Sequence, residues 1–146
     1  MDIVSVRFFH LLGTILLLGN VTVTAFWALY FYRVRDTVPF RRVAKAMLLA
    51  DFIFTLVGVT LIGVTGFMLL KARGIPFETP WVVRGASALG LAVLLWLAVL
   101  LPLLNRLARN PSDDRRALRR IFFRWMVAVW TVTGVLIYGL VVMVRR

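Results

Sequence analysis

Four long apolar runs, at 6–32, 46–70, 81–104 and 121–144, decide what this chain can become. A helix rising about 1.5 Å per residue needs about 20 residues to cross a hydrocarbon core. Every run is long enough. Backbone groups inside lipid have no water to bond, so a spanning segment closes its own hydrogen bonds as a helix or joins a closed barrel. The runs show no alternation of apolar and polar residues with a period of two, which excludes a barrel. The expected fold class is therefore all-α: a polytopic membrane protein, an up-down bundle of four transmembrane helices forming one domain over 1–146.

Composition agrees with this reading. The chain is 62% hydrophobic and 16% charged, where a soluble domain is about half apolar and about a quarter charged. That excludes an ordinary soluble globule, and equally a disordered chain. No cysteine is present, so disulfides, thiolate metal sites and thiol nucleophiles are excluded. No phosphate-cradling loop, dinucleotide-binding glycine pattern or HExxH motif occurs. A nucleotide-driven activity would need another chain.

The net charge of +12 invites a nucleic-acid reading, but its placement argues against one. Of the 18 basic residues, 16 are arginines, and most flank the apolar runs. In a membrane protein such clusters set topology and meet anionic lipid. Segments 33–45 and 105–120 share a side and carry eleven Lys and Arg, against five on the other side. The more basic side is expected in the cytoplasm. That orientation puts the N and C termini outside and anionic lipid at the cytoplasmic face. Val23-Thr24-Ala25 looks like a signal-peptidase site. However, the start is not basic and the first run is longer than a signal core, so an uncleaved span is expected.

Helix ends are marked in the sequence. Pro39 opens the second helix, and Gly74 and Pro76 close it. Thr79 and Pro80 open the third, and Pro102 is expected to bend or fray its last turns. Asn110 and Pro111 form a turn, and Ser112, with Asp113 and Asp114 behind it, is expected to cap the fourth helix.

Polar residues inside the runs are the candidate site. His10, Gly13, Leu17, Asn20, Thr24 and Trp27 share one face of the first helix, which should turn inward. His10, the single histidine, has the chemistry to bind a metal, a haem or a proton, or to make one hydrogen bond to a neighbour. Asn20 is expected near the midplane as a clamp between helices. Asp51 shares a face with Thr55, Gly58, Ile62 and Thr65. An acidic residue at this depth is expensive and needs a partner. Arg124 and Tyr30 are expected at similar depth; the alternatives are an Asp51–Arg124 clamp near the interface and proton or cation handling. Arg84, Ser87, Tyr138 and Met68 fall in the same half as His10 and suggest a small outward-facing pocket. There Arg84 would hold an anion or propionate, and Met68 would complete a haem site. Trp27, Trp81 and Trp125 read as interfacial anchors, and Trp96 and Trp130 as packed deeper. Gly58, Gly63, Gly66, Gly134 and Gly139 read as helix–helix contacts.

The stretch HLLGTILLLGN (10–20), Ala50-Asp51-Phe52 through Thr65-Gly66, Leu95-Trp96-Leu97 through Pro102, and Arg124-Trp125 resemble the bacterial integral membrane proteins grouped as domain-of-unknown-function family 2269. The likeness spans essentially the whole chain. That family is distantly similar to the CopD-like copper-resistance proteins and the HemJ-like protoporphyrinogen oxidases. Both share a histidine in the first helix followed by small residues, a position that His10 matches. Haem ligation of the HemJ type implies a second histidine, and copper handling of the CopD type implies further His or Met ligands. The resemblance thus implies fold and location, the latter a bacterial cytoplasmic (inner) membrane. Three functional readings follow. The first is a non-catalytic accessory or partner-binding subunit, alone or as a homo-oligomer. The second is a redox protein with haem b or a quinone at His10. The third is a small proton-coupled carrier using Asp51.

Overall fold

The computed structural model describes residues 2–109 and 115–145. The turn and cap expected at Asn110–Asp114 lie outside the described residues. Helix α1 is Ile3–Arg33, α2 is Phe40–Arg73, α3 is Pro80–Leu95, α4 is Leu101–Arg109 and α5 is Arg115–Val144. A π-helical turn, Trp96–Leu100, joins α3 to α4, so these form one long third span. Among the described residues, four helices are long and apolar enough to cross a membrane. The fold is the all-α four-helix membrane bundle expected.

Helix boundaries follow local chemistry. Asp2 caps α1 by accepting from the Ser5 N–H, and the hydrogen bonds from Ser5 hold its carboxyl below the usual range. Pro39 precedes α2, where its missing N–H leaves no bond unmade. Gly74 ends α2 at φ 62°, a left-handed conformation that glycine adopts without a Cβ penalty. Pro80 is the first residue of α3.

The third span departs from regular α geometry in one place. Its buried residues include Ala88, Ala92, Trp96, Leu100 and Leu104, at successive steps of four. In a plain α-helix such steps drift about 160° around the axis. The π turn inserts one residue and returns much of that drift, keeping all five on the bundle side. Pro102 follows one residue later. Its ring would crowd the Ala98 carbonyl and it donates no hydrogen. The widened turn absorbs the misfit, with the Leu101 N–H reaching back to the Trp96 carbonyl. Of the bending or fraying expected at Pro102, fraying does not occur: the span continues to Arg109.

Packing divides the bundle into two regimes. A continuous core of large side chains, including Phe40, Leu100, Leu104, Leu107, Phe122 and Trp125, fills the end carrying residues 33–45 and 105–120. Tyr32 stacks on Phe122 with centroids 3.9 Å apart, and Phe40 meets both rings edge-on. Towards the other end small residues bring backbones together instead. Gly13 and Gly58 face each other between α1 and α2, and Gly139 meets Ala88 between α5 and α3. Gly63 and Gly134, expected as contacts, have nothing within 4 Å of the position a Cβ would take. Trp125 is buried in the core and Trp130 is 58% exposed, the reverse of their expected roles. Trp27 is exposed, as an anchor should be.

Candidate functional site: a carboxyl at the centre of the bundle

Asp51 sits where the large-residue core gives way to the small-residue contacts. Its side is set by the helical face it shares with Thr55, Gly58 and Thr65, all buried. Asp51 is 7% exposed. Its carboxyl collects three donors from three helical segments. Asn20 Nδ2 on α1 donates to Oδ1 at 3.1 Å. Thr55 Oγ1, one turn along α2, donates to the same oxygen at 3.4 Å. Trp96 Nε1, the first residue of the π turn, donates to Oδ2 at 2.7 Å. Thr24 Oγ1 donates to Asn20 Oδ1 at 3.4 Å and steadies the amide that serves Asp51.

All three donors are neutral. Arg124, the expected partner, is exposed on α5. The ion pair among the described residues is instead Arg115 to Asp36 at 2.9 Å, near the basic end. The physical reason is depth. Asp51 lies eleven residues into α2, about three turns beyond its start, because α2 begins at Phe40 and not near Ala46. It is therefore level with Asn20 and Trp96. Arg124 keeps its guanidinium outside the bundle, the usual solution for a long basic side chain near a span end.

A cavity of about 20 Å³ opens beside the carboxyl, lined by Asp51, Thr55, Trp96 and apolar residues of α1, α3 and α5. One water needs roughly 10–15 Å³ of such space and at least two polar partners. The volume is sufficient, and Asp51 and the Thr55 hydroxyl oxygen are the acceptors that line it. A carboxylate offers about four acceptor positions, and three are taken, so one remains for a water.

His10 lies further along α1 and is partly buried. Its Nδ1 is 3.0 Å from Thr65 Oγ1. The Thr65 hydroxyl donates to the Leu61 carbonyl, so Thr65 accepts from His10 Nδ1–H. An Nδ1–H donor is offered both by one neutral tautomer and by the imidazolium, so this bond fixes the ring's orientation and not its charge. The ring lies against Gly66, where a Cβ would come within 3.3 Å of Cε1. Met68 and Tyr138 are 37% and 52% exposed, and Arg84 and Ser87 are exposed too. These residues lie on the bundle surface and do not enclose His10. The cavity inside the bundle has room for a water and not a macrocycle. The four residues do not fit a haem held within the helices.

Trp96 is the site residue that sequence reasoning places only as packing. A signal is there: an indole deep in a span needs a partner for its N–H. Trp125 shows the contrast, since its buried Nε1 finds no partner among the described residues.

Residues 4–146 match the family described as "Predicted integral membrane protein (DUF2269)". The chain belongs to that family. It is an integral membrane protein in contact with the lipid bilayer. No curated protein and no solved structure matches it.

Proposed function

We propose that this family member handles protons through Asp51, as a small proton-coupled carrier or the proton-binding subunit of a larger membrane assembly. The observation that supports the reading is the carboxyl itself: buried at the bundle centre, held by neutral donors alone, and adjoining a water-sized cavity. An ionisable group at bilayer depth is costly to keep, and a residue of this kind is by default a functional candidate. A carboxyl with no counter-cation among the described residues can gain or lose a proton without breaking an ion pair there.

Infrared titration of the detergent-purified protein tests this. A protonated-carboxyl band should appear and disappear with pH and be absent from Asp51→Asn. In liposomes carrying an internal pH dye, proton uptake driven by a membrane potential should fall at least about tenfold in Asp51→Asn. A band that never titrates, together with equal proton uptake in both proteins, would remove Asp51 from proton handling and leave the accessory reading.

The orientation proposed places the 33–45 and 105–120 segments in the cytoplasm and both termini outside, in a bacterial inner membrane. Both basic segments do meet at one end of the bundle, where Arg41 Nε donates to the Ala108 carbonyl at 3.3 Å and Arg115 pairs with Asp36. The positive-inside rule then gives the direction. A phosphatase inserted within 75–79 should be active, and one inserted within 36–42 inactive. The opposite pattern would invert the topology.

A further inference from the structure

We infer that the basic end of the bundle binds anionic phospholipid, which clamps the α1–α2 hairpin to the α4–α5 pair. Segments 33–45 and 105–124 hold twelve Arg and Lys against three Asp. The fold sets these two segments side by side through the Arg41–Ala108 hydrogen bond and the Arg115–Asp36 ion pair. Asp36 is thereby already committed to a cation. Most of the remaining basic heads, among them Arg33, Arg42, Lys45, Arg116, Arg120 and Arg124, are exposed. Like charges crowded onto one bundle end repel each other and work against the contact between the segments. A multivalent anion between them turns that repulsion into attraction.

The level of this surface selects the anion. Trp27, Tyr30 and Phe31 form a ring cluster on the last turns of α1, with Trp27 and Tyr30 exposed. Exposed Trp and Tyr mark the boundary between acyl chains and headgroups. Arg33 lies immediately beyond them. On α5 the Arg119 guanidinium lies 5.8 Å from the ring of Phe123, which is also exposed. Aromatic rings below and guanidiniums above match a phospholipid whose phosphate meets the arginine forks while its acyl chains lie on the rings. A soluble anion or a nucleic acid would use the charges and leave the aromatic layer without a role.

The test uses purified full-length protein in mild detergent, with thermal unfolding as readout. Added phosphatidylglycerol should raise the midpoint by roughly 5 °C over phosphatidylcholine. Glycerol phosphate at the same concentration should not reproduce the rise, and 0.5 M salt should erode it, about 0.5 M being ample to screen such contacts. The triple variant Arg42→Gln, Arg116→Gln, Arg120→Gln removes heads that make none of the contacts above. It should lose at least half of the rise. Should that variant fail to fold, the salt and glycerol phosphate arms on the native protein still decide. An equal rise with glycerol phosphate or with a short oligonucleotide, or no difference between the two lipids, would overturn the inference.

Discussion

Gly13→Ala is expected to destabilise the bundle by about 1–3 kcal/mol, a large effect for one methyl group. A Cβ at Gly13 would stand 2.8 Å from Leu61 Cβ and 3.0 Å from the Gly58 carbonyl oxygen. Neither neighbour is the end of a flexible side chain, so the helices themselves must separate. Gly58 is constrained in the same way, by Leu17 Cβ at 3.0 Å and the Gly13 carbonyl at 3.1 Å. Apolar burial does not drive helices together in lipid, so close backbone contact carries more of the association. Gly63→Ala is the matched control, because its Cβ meets nothing within 4 Å. That variant should be neutral or gain up to about 1 kcal/mol from helix propensity. Unfolding in detergent followed by circular dichroism separates the two. Equal behaviour of Gly13→Ala and Gly63→Ala would mean that α1 and α2 do not touch at this point.

The same pair of glycines shows what a sequence can and cannot reveal. Both are legible as interior, Gly13 from the polar face of α1 and Gly58 from the face shared with Asp51. Gly63 looks equivalent to Gly58 in the sequence, and only the contact geometry tells them apart. The four helices are legible because run length and backbone hydrogen bonding leave lipid-embedded segments no other fold. Their ends are legible at Pro39, Gly74 and Pro80, where backbone chemistry is local. The π turn is not, although Pro102 marks the neighbourhood. It depends on five core positions spaced by four and on the helices against which they pack.

The partner of Asp51 is hidden for a related reason. Opposite charge is the first partner sought for a buried carboxylate, and Arg124 is the cation that the sequence offers at similar depth. Depth along α2 decides otherwise, by an amount set by where the helix begins. Asn20 and Asp51 each stand out in the sequence as intramembrane polar residues. Their hydrogen bond to each other does not, because it depends on the relative register of two helices. His10 and Thr65 are separated by the same register problem.

The three-donor arrangement makes a distinctive expectation for Asp51. Asp51→Leu strands the Asn20 amide and the Trp96 indole, while the Thr55 hydroxyl can turn back to its own helix. At about 1–3 kcal/mol for each stranded donor, the loss should reach about 3 kcal/mol. Asp51→Asn should be milder but not silent. Its carbonyl oxygen can still accept from Asn20 and Thr55, yet its amide nitrogen then faces the Trp96 N–H, donor against donor. Removing the indole donor should relieve that conflict. Trp96→Phe alone should cost stability by leaving Oδ2 short of a hydrogen bond and losing ring volume. Combined with Asp51→Asn, it should cost clearly less than the two single changes added together. Arg124→Ala should be additive with Asp51→Asn, since its side chain does not reach the carboxyl. Thermal or denaturant unfolding of the single and double variants closes both cycles. Additivity between Asp51→Asn and Trp96→Phe would show that the indole is not bonded to the carboxyl, and coupling to Arg124→Ala would restore the ion pair in its place.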